Sequence, residues 1–347
     1  MKNFYPAFYS QFKCIANKCE DSCCKDWDID VDSETEQYYN SVSGELGDKI
    51  RRLTVTDKYG ERVFINNTEC GVRCPFWNKD MLCDIYIGLG EEHLSHTCAT
   101  FPRLKVDHYG CSEHILSFAC PEAARFMLRT ENAYDELDSS ERIDTAPDDV
   151  SAFMIESRRR TAEIFRSGDP MIYKLIDCLV MTAQIERILQ GEEPAPLDTS
   201  NYVEADIKSV FELHKGFEIM SKKWRDTLNS AAEECENIIL SREFDDAFGK
   251  FAEYYIYRYY LTSLNEGDAM YAVKRIIFAY LITSGIYSYI HKYNIDISIM
   301  RILQRYSKEV EHSYENTEKM NDALSSNDNY SAESILLMLE GICDKLL

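Results

Sequence analysis

Ten of the chain's 13 cysteines fall within the first 120 of its 347 residues: Cys14, Cys19, Cys23, Cys24, Cys70, Cys74, Cys83, Cys98, Cys111 and Cys120. No other feature limits the fold so strongly. Thiols at this density either form a disulfide framework or ligate a soft metal, and in both cases they hold together a region that lacks a large apolar core. Residues Met1 to Phe12 show no basic segment followed by an apolar one, so a cytoplasmic location is expected, where thiols stay reduced. Density and compartment together favour metal binding over a pack of reduced structural thiols. Cys178, Cys235 and Cys343 lie far apart in apolar helical patterns and read as core thiols.

The spacings sharpen this reading. Cys14-x4-Cys19-x3-Cys23-Cys24 places four thiols within eleven residues, and Cys70-x3-Cys74-Pro-Phe, Leu82-Cys83-Asp-Ile, Cys98-x2-Phe-Pro-Arg and Cys120-Pro-Glu-Ala-Ala-Arg follow. Soft thiolates suit zinc or an iron–sulfur cluster and disfavour magnesium or calcium. Neighbouring side chains diverge, so Cys23 and Cys24 fit best if each serves a different site or only one is a ligand. His93 and His96 flank the region and are weaker candidates than the thiols.

Beyond the cysteines the pattern is helical. The expected fold is mainly α. An irregular cysteine-rich domain over 1–130, with few helices and at most a small hairpin sheet, precedes a polar linker at 131–146 and an all-helical domain over 147–347. Within the first part, Leu53–Thr56 and Arg62–Ile65 read as a hairpin, and helices are expected from Asp32, with a Ser33/Glu36 capping box, and from Pro121. In the second part, Pro147 to Arg166 and Pro170 to Gln190 begin with proline and are followed by Gly168 and Gly191. Six further helices are expected over 203–220, 222–240, 242–263, 268–291, 296–321 and 331–346. Phe244, Phe248, Phe251, Tyr255 and Tyr259 share one face, which reads as a core stripe in preference to an aromatic cofactor box.

Charge and hydropathy exclude two partner classes. The net charge is −22, and residues 1–130 hold 15 Lys+Arg against 20 Asp+Glu, which leaves −17 on residues 131–347. Nucleic acid is therefore not an expected partner, since phosphate binding needs basic surface. The acidity solubilises the chain and would attract a lysine-bearing protein. No stretch reaches the ~18 uncharged apolar residues of a membrane span; Ile276 to Ile290 falls short and is flanked by Lys274, Arg275 and Lys292.

The string Phe12-x-Cys14-x4-Cys19-Glu-Asp-Ser-Cys23-Cys24-x2-Trp27-x-Ile29-x2-Asp32, with Cys74-Pro-Phe, Leu82-Cys83-x-Ile85, Leu89-Gly-Glu-Glu92, Cys98-x2-Phe-Pro-Arg103 and Ser117-Phe-Ala-Cys120-Pro-Glu-Ala-Ala-Arg125, resembles the flagellin lysine-N-methylase family. That family is in turn similar to the broader group of zinc- or iron-chelating proteins with CxxCxxCC-type motifs. The likeness spans 1–130 and continues faintly at Tyr306-Ser-Lys-x-Val-Glu-His312. It implies methyl transfer from S-adenosylmethionine to lysine ε-amines of flagellin. It also implies a metal held by Cys14, Cys19, Cys23, Cys24, Cys74, Cys83, Cys98 and Cys120, as an iron–sulfur cluster of the 4Fe-4S type or, alternatively, zinc. Cys70 and Cys111 stand outside the family motifs.

Residues alone do not yield that chemistry. Gly88-Leu-Gly90 is the nearest approach to a glycine-rich nucleotide turn, and the fingerprint fails at His93. Cys19-x3-Cys23 and Cys70-x3-Cys74 each supply only the first half of a radical-type CxxxCxxC run. The competing reading is a non-catalytic zinc- or iron-chelating protein serving metal storage, redox sensing or as an interaction scaffold, which would not bind S-adenosylmethionine. The sequence names no catalytic base, no cofactor pocket, no target lysine and no oligomeric state.

Overall fold

The computed structural model describes residues 2–65, 72–108, 110–239, 241–265 and 269–346; Cys70 lies outside them. The elements run β1 (Lys2–Phe4), β2 (Ile29–Asp30), α1 (Ser33–Ser41), α2 (Gly44–Leu53), β3 (Thr54–Thr56), β4 (Arg62–Phe64), α3 (Asp84–Leu89), α4 (His96–Thr100), β5 (Arg103–His108), β6 (Cys111–Leu116) and α5 (Pro121–Arg129). Helices then follow without further strands among the described residues: α6 (Ser140–Ile143), α7 (Asp149–Arg166), α8 (Met171–Leu189), α9 (Ile207–Lys215), α10 (Lys222–Ala232) and α11 (Arg242–Asn265). The chain closes with α12 (Ala269–Lys292), α13 (Ile299–Glu311), α14 (Tyr314–Ser326) and α15 (Ala332–Leu346). The fold is mainly helical, as expected, with small sheets confined to the N-terminal part.

Two three-stranded sheets are formed among the described residues. The expected hairpin is β3–β4, paired Thr54 to Phe64 and Thr56 to Arg62, and β2 adds a third strand at Ile29–Phe64. The sequence reading missed the other sheet, in which β6 pairs antiparallel with β5 and parallel with β1. Arg103 to Asp107 alternates polar with apolar residues and more with less exposure, a period-2 signal carried by Leu104 and Val106 alone. What makes it a strand is β6, whose residues are nearly all buried.

The helix starts follow local chemistry. Asp32, rather than Ser33, caps α1 and accepts the Thr35 N–H, because an Asp carboxylate one residue earlier satisfies the same orphan donors. Asp148 caps α7. The helix expected over 296–321 is broken at His312–Ser313, where the Ser313 hydroxyl accepts from Asn316 N and starts α14. Gly191, at φ +78°, ends the last turn after α8, a conformation that suits glycine. In the 131–146 segment, Tyr134, Leu137 and Arg142 are buried, and α6 sits within it.

Two apolar cores result among the described residues. The larger joins Phe4, Phe8, Phe12, Ile115 and Phe118 to the helical body. The smaller gathers Ile29, Val31, Tyr39, Ile50, Phe64, Phe76 and Ile85 around Cys74, with Cys24, Cys83 and Cys98 packed against it. The axis of the large core is α12. It is long and apolar enough to cross a membrane, yet 94% of its most apolar window is buried inside the protein. The aromatic stripe of α11 is core: Phe244, Phe248, Phe251 and Tyr255 are all buried. Cys178 and Cys235 are buried as expected, whereas Cys343, near the end of α15, is only half-buried.

A buried ionic network fixes β6 against the helices. Glu113 accepts from Arg142 Nε at 2.8 Å and Arg158 Nη1 at 2.6 Å, and Tyr257 donates to Asp138 at 2.7 Å while Arg158 holds the other oxygen of Asp138. Burial pushes the Glu113 carboxyl up, but Arg158 and His108 beside it hold it far below the usual carboxylate range. Every charge in this network has a counter-charge, the condition under which such groups tolerate the interior. The segment leaving β6, Ser117 to Cys120, is thereby held in place.

Candidate metal centre and its helical anchor

Each candidate thiol is presented by a short, locally determined element. Cys19 ends a single 3-10 turn. Cys23 and Cys24 follow in the next loop, where Trp27 Nε1 donates to the Cys23 carbonyl at 2.6 Å and Cys74 N donates to the Cys24 carbonyl at 2.7 Å. Cys83 and Cys120 are the N-cap residues of α3 and α5, and Cys98 lies in the first turn of α4 with its N–H on Ser95. Backbone N–H groups of Ala123 and Glu122 reach the Cys120 sulfur, and those of Tyr86 and Ile85 reach Cys83. Sulfurs held at helix N-termini by N–H donors are prepared to carry negative charge.

The thiols fall into two neighbourhoods joined by the Cys23–Cys24 pair. Cys24 lies within Coulombic range of Cys74, Cys83 and Cys98. Cys120 lies within range of Cys14 and Cys19. Cys23 hydrogen-bonds Cys24 and senses both Cys98 and Cys120. That hydrogen bond is the main cause that brings the Cys24 thiol down to about 7, with Ser22 and Lys308 assisting against burial. Burial pushes Cys98 and Cys120 up to about 12 and raises Cys74 further. These are protonated thiols at neutral pH, so a metal binding here must displace protons. The donor set, soft and partly buried among Trp27, Trp77 and Phe76, fits a thiophilic ion or an iron–sulfur cluster. Among the described residues no three His, Cys, Asp or Glu side chains already converge at metal-holding distance, so ligation requires the loops to draw together.

The other candidates stand apart. Cys111 is buried in β6 with its sulfur 2.9 Å from Thr145 Oγ1. The His93 ring stacks on Tyr38 at 4.0 Å, and His96 is exposed, its N–H donating to Asp32. Gly88 lies within α3 and Gly90, at φ +99°, ends it.

The structure adds a feature that no motif announced. Asp21, inside the cysteine loop and only 2% exposed, faces four cations: Lys25 and Arg301 at 3.2 Å, Arg305 at 3.3 Å and Lys308 at 3.4 Å. Burial alone pushes its carboxyl up, but the four cations together hold it far below the carboxylate range. Arg301, Arg305 and Lys308 recur at i, i+4 and i+7 on α13, one helical face. That basic stripe in the acidic half of the chain was the available signal. Gln304 joins the stripe, donating to Asp21 at 3.1 Å and to the Ala119 carbonyl, beside Cys120, at 2.6 Å. Lys308 Nζ reaches the Ser22 carbonyl at 3.3 Å and lies 4.6 Å above the Trp27 ring. His312, just past the helix, contacts Ser117 Oγ at 2.8 Å and packs on Trp27 and Phe101. Burial lowers its imidazole to about 4, so it is neutral. One helix therefore grips both thiol neighbourhoods.

Next to that grip lies a tyrosine-rich cluster of buried charge. Tyr254 and Tyr259 donate to Glu311 Oε2 at 2.8 and 2.7 Å. The Arg275 guanidinium, on α12, sits 4.4 Å above the Tyr259 ring and 5.4 Å above Tyr271. The second carboxylate oxygen of Glu311 is buried without a hydrogen-bond partner among the described residues.

Residues 185–338, which contain α13 and Glu311, match the model of the FliB lysine N-methylase C-terminal domain. Over 139 residues the chain is 31% identical to the flagellar biosynthetic protein FliU of Salmonella muenchen, covering 37% of this chain and 78% of that one. This chain belongs to the lysine-N-methylase family. It is also 32% identical over 137 residues to the lysine-N-methylases of Salmonella typhimurium and Salmonella choleraesuis, a match that spans 33% of each of those proteins. No solved structure matches. In this family member, the face of α13 that carries Arg301, Gln304, Arg305 and Lys308 docks on the cysteine loop.

Proposed function

We propose that this chain transfers methyl groups from S-adenosylmethionine to lysine side chains of flagellin, with a metal centre on its N-terminal thiols. Membership of the lysine-N-methylase family carries this reading, and the flagellar name of the Salmonella muenchen relative supports the substrate. In the reaction, the neutral lysine nitrogen attacks the methyl carbon, the N–C bond forms, and the S–C bond breaks with its electron pair passing to sulfur. S-adenosylhomocysteine leaves, and one proton must depart from the amine. Lysine is protonated at neutral pH, with a pKa of about 10.4 in water, so the site must desolvate it and accept that proton.

The chain's own groups suit these tasks. Tyr254 and Tyr259 donate to one oxygen of the Glu311 carboxylate, and the other oxygen, which has no hydrogen-bond partner among the described residues, would accept a proton from the ammonium. Tyrosine faces favour both the ammonium and the sulfonium. Cys24, Cys74, Cys83 and Cys98 would hold metal on one side and Cys14, Cys19 and Cys120 on the other, with Cys23 between them. When bound, the metal supplies a fixed positive centre that ties the thiol loops to each other.

The test is to incubate anaerobically purified, metal-loaded protein with flagellin and labelled S-adenosylmethionine and to locate the label by mass spectrometry. Label on lysine, lost in Cys24→Ser/Cys98→Ser together with the metal, is the expected result. Metal-loaded protein that labels no lysine would refute the proposal.

A further inference from the structure

Two arginines stand in the tyrosine cluster without an ion pair among the described residues. Arg275, on α12, is only 2% exposed, and Arg258, on α11, is half-buried. Both lie against the Tyr259 ring, at 4.4 and 5.1 Å, and Glu311 of α13 is within Coulombic range of each. Burial pushes the hydroxyls of Tyr254, Tyr255 and Tyr259 up, so the phenols are neutral. An arginine cannot shed its proton. Two guanidinium groups against one carboxylate therefore leave one net positive charge where α11, α12 and α13 pack together.

Aromatic rings satisfy the charge of Arg275 but not its hydrogen bonds, because N–H groups point outward in the guanidinium plane. Nε and Nη2 of Arg275 are both buried without a hydrogen-bond partner. These two atoms form one edge of the fork, and their parallel N–H bonds fit the two oxygens of a carboxylate. The hydroxyl of Tyr255, whose ring lies 5.9 Å from the same guanidinium, is also buried and unpartnered. Three buried donors on two neighbouring side chains, all unmade, cost far more than their pairing would return. We infer that the Nε/Nη2 edge of Arg275 is a binding site for a carboxylate, with the Tyr255 hydroxyl as an additional donor. A monoanion there neutralises the cluster, whereas a dianion such as phosphate would leave it negative. Two sources share the required chemistry: a small free carboxylate, or the α-carboxylate of S-adenosylmethionine. The second rests on the methyl-transfer reading above and would bring the donor next to Glu311.

The experiment titrates the full, metal-loaded chain and its Arg275→Lys and Tyr255→Phe variants with sodium acetate, S-adenosylmethionine and decarboxylated S-adenosylmethionine, reading heats and thermal midpoints. Arg275→Lys keeps a charge against the tyrosine rings and removes the fork. If the donor supplies the carboxylate, wild-type protein should bind S-adenosylmethionine about tenfold or more tighter than its decarboxylated form, and Arg275→Lys should erase that preference. If a free carboxylate occupies the edge, acetate should raise the midpoint of wild-type protein but not of Arg275→Lys, and the two sulfonium ligands should bind alike. Tyr255→Phe should weaken whichever carboxylate binds. Wild-type protein that binds neither sulfonium ligand would refute the methyl-donor reading and leave acetate to decide the site. Absence of both the acetate shift and the carboxylate preference in wild-type protein, a comparison that needs no variant to fold, would overturn the inference and leave the edge to water.

Discussion

Replacing Asp21 by Asn tests whether the helix α13 stripe is anchored by charge. The carboxylate lies 3.1 to 3.4 Å from Gln304, Lys25, Arg301, Arg305 and Lys308, but those partners do not suffer equally from its loss. Lys25 and Arg301 have side chains 32% and 28% exposed and can turn to water. Arg305 keeps Asp26 at 2.9 Å and Glu309 at 2.8 Å. Lys308 is fully buried and, among the described residues, retains the Ser22 carbonyl, the Trp27 face and the more distant charge of Asp26. The cost is thus that of one stranded buried ammonium, about 3–5 kcal/mol, and not a sum over four pairs. Guanidinium denaturation followed by tryptophan fluorescence should show that loss in Asp21→Asn. The double variant Asp21→Asn/Lys308→Met should recover more than about 1 kcal/mol, because it removes the stranded charge as well. A loss below about 1 kcal/mol, or a double variant no more stable than Asp21→Asn, would refute the reasoning.

Acid sensitivity should begin near neutral pH. Burial lowers His214 and His312 to about 4, whereas the unfolded chain protonates them near 6.5. The unfolded state therefore binds more protons between those values, so stability is complete above about pH 6.5 and falls toward pH 4, by about 3 kcal/mol for each histidine. His312→Asn should flatten roughly half of the decline in a pH series of denaturation midpoints, and an unchanged slope would contradict the burial argument. At Gly285, in the middle of α12, a Cβ would lie 2.6 Å from Phe211 Cζ. Gly285→Ala should then cost about 1–3 kcal/mol despite its better helix propensity. Phe211→Leu in the same chain should restore part of that cost, and a Gly285→Ala protein more stable than wild type would show that α9 yields.

The N-terminal likeness and the helical periodicity were local properties and could be read directly. Pro121, Asp32 and the Thr54–Phe64 hairpin carry their structure in a few neighbouring residues, and the α11 aromatic stripe follows from its spacing alone. The thiols, too, announced themselves by density. Other features depended on contacts between distant segments. β5 is a strand because β6 lies beside it, and His312, just past α13, is desolvated because it meets Trp27 and Ser117, the latter 195 positions away.

The division of the thiols around Cys23 and Cys24 could not be read from spacing, since it arises where loops of four distant segments meet. The role of Asp21 was equally hidden. One carboxylate in an acidic chain becomes an anchor only when Arg301, Arg305 and Lys308, some 280 residues later, are packed over it and water is removed. Local sequence thus determined which residues can ligate, cap and turn. Only the tertiary structure decided which charges are buried together, because the strength of an ion pair depends on the water that folding excludes from it.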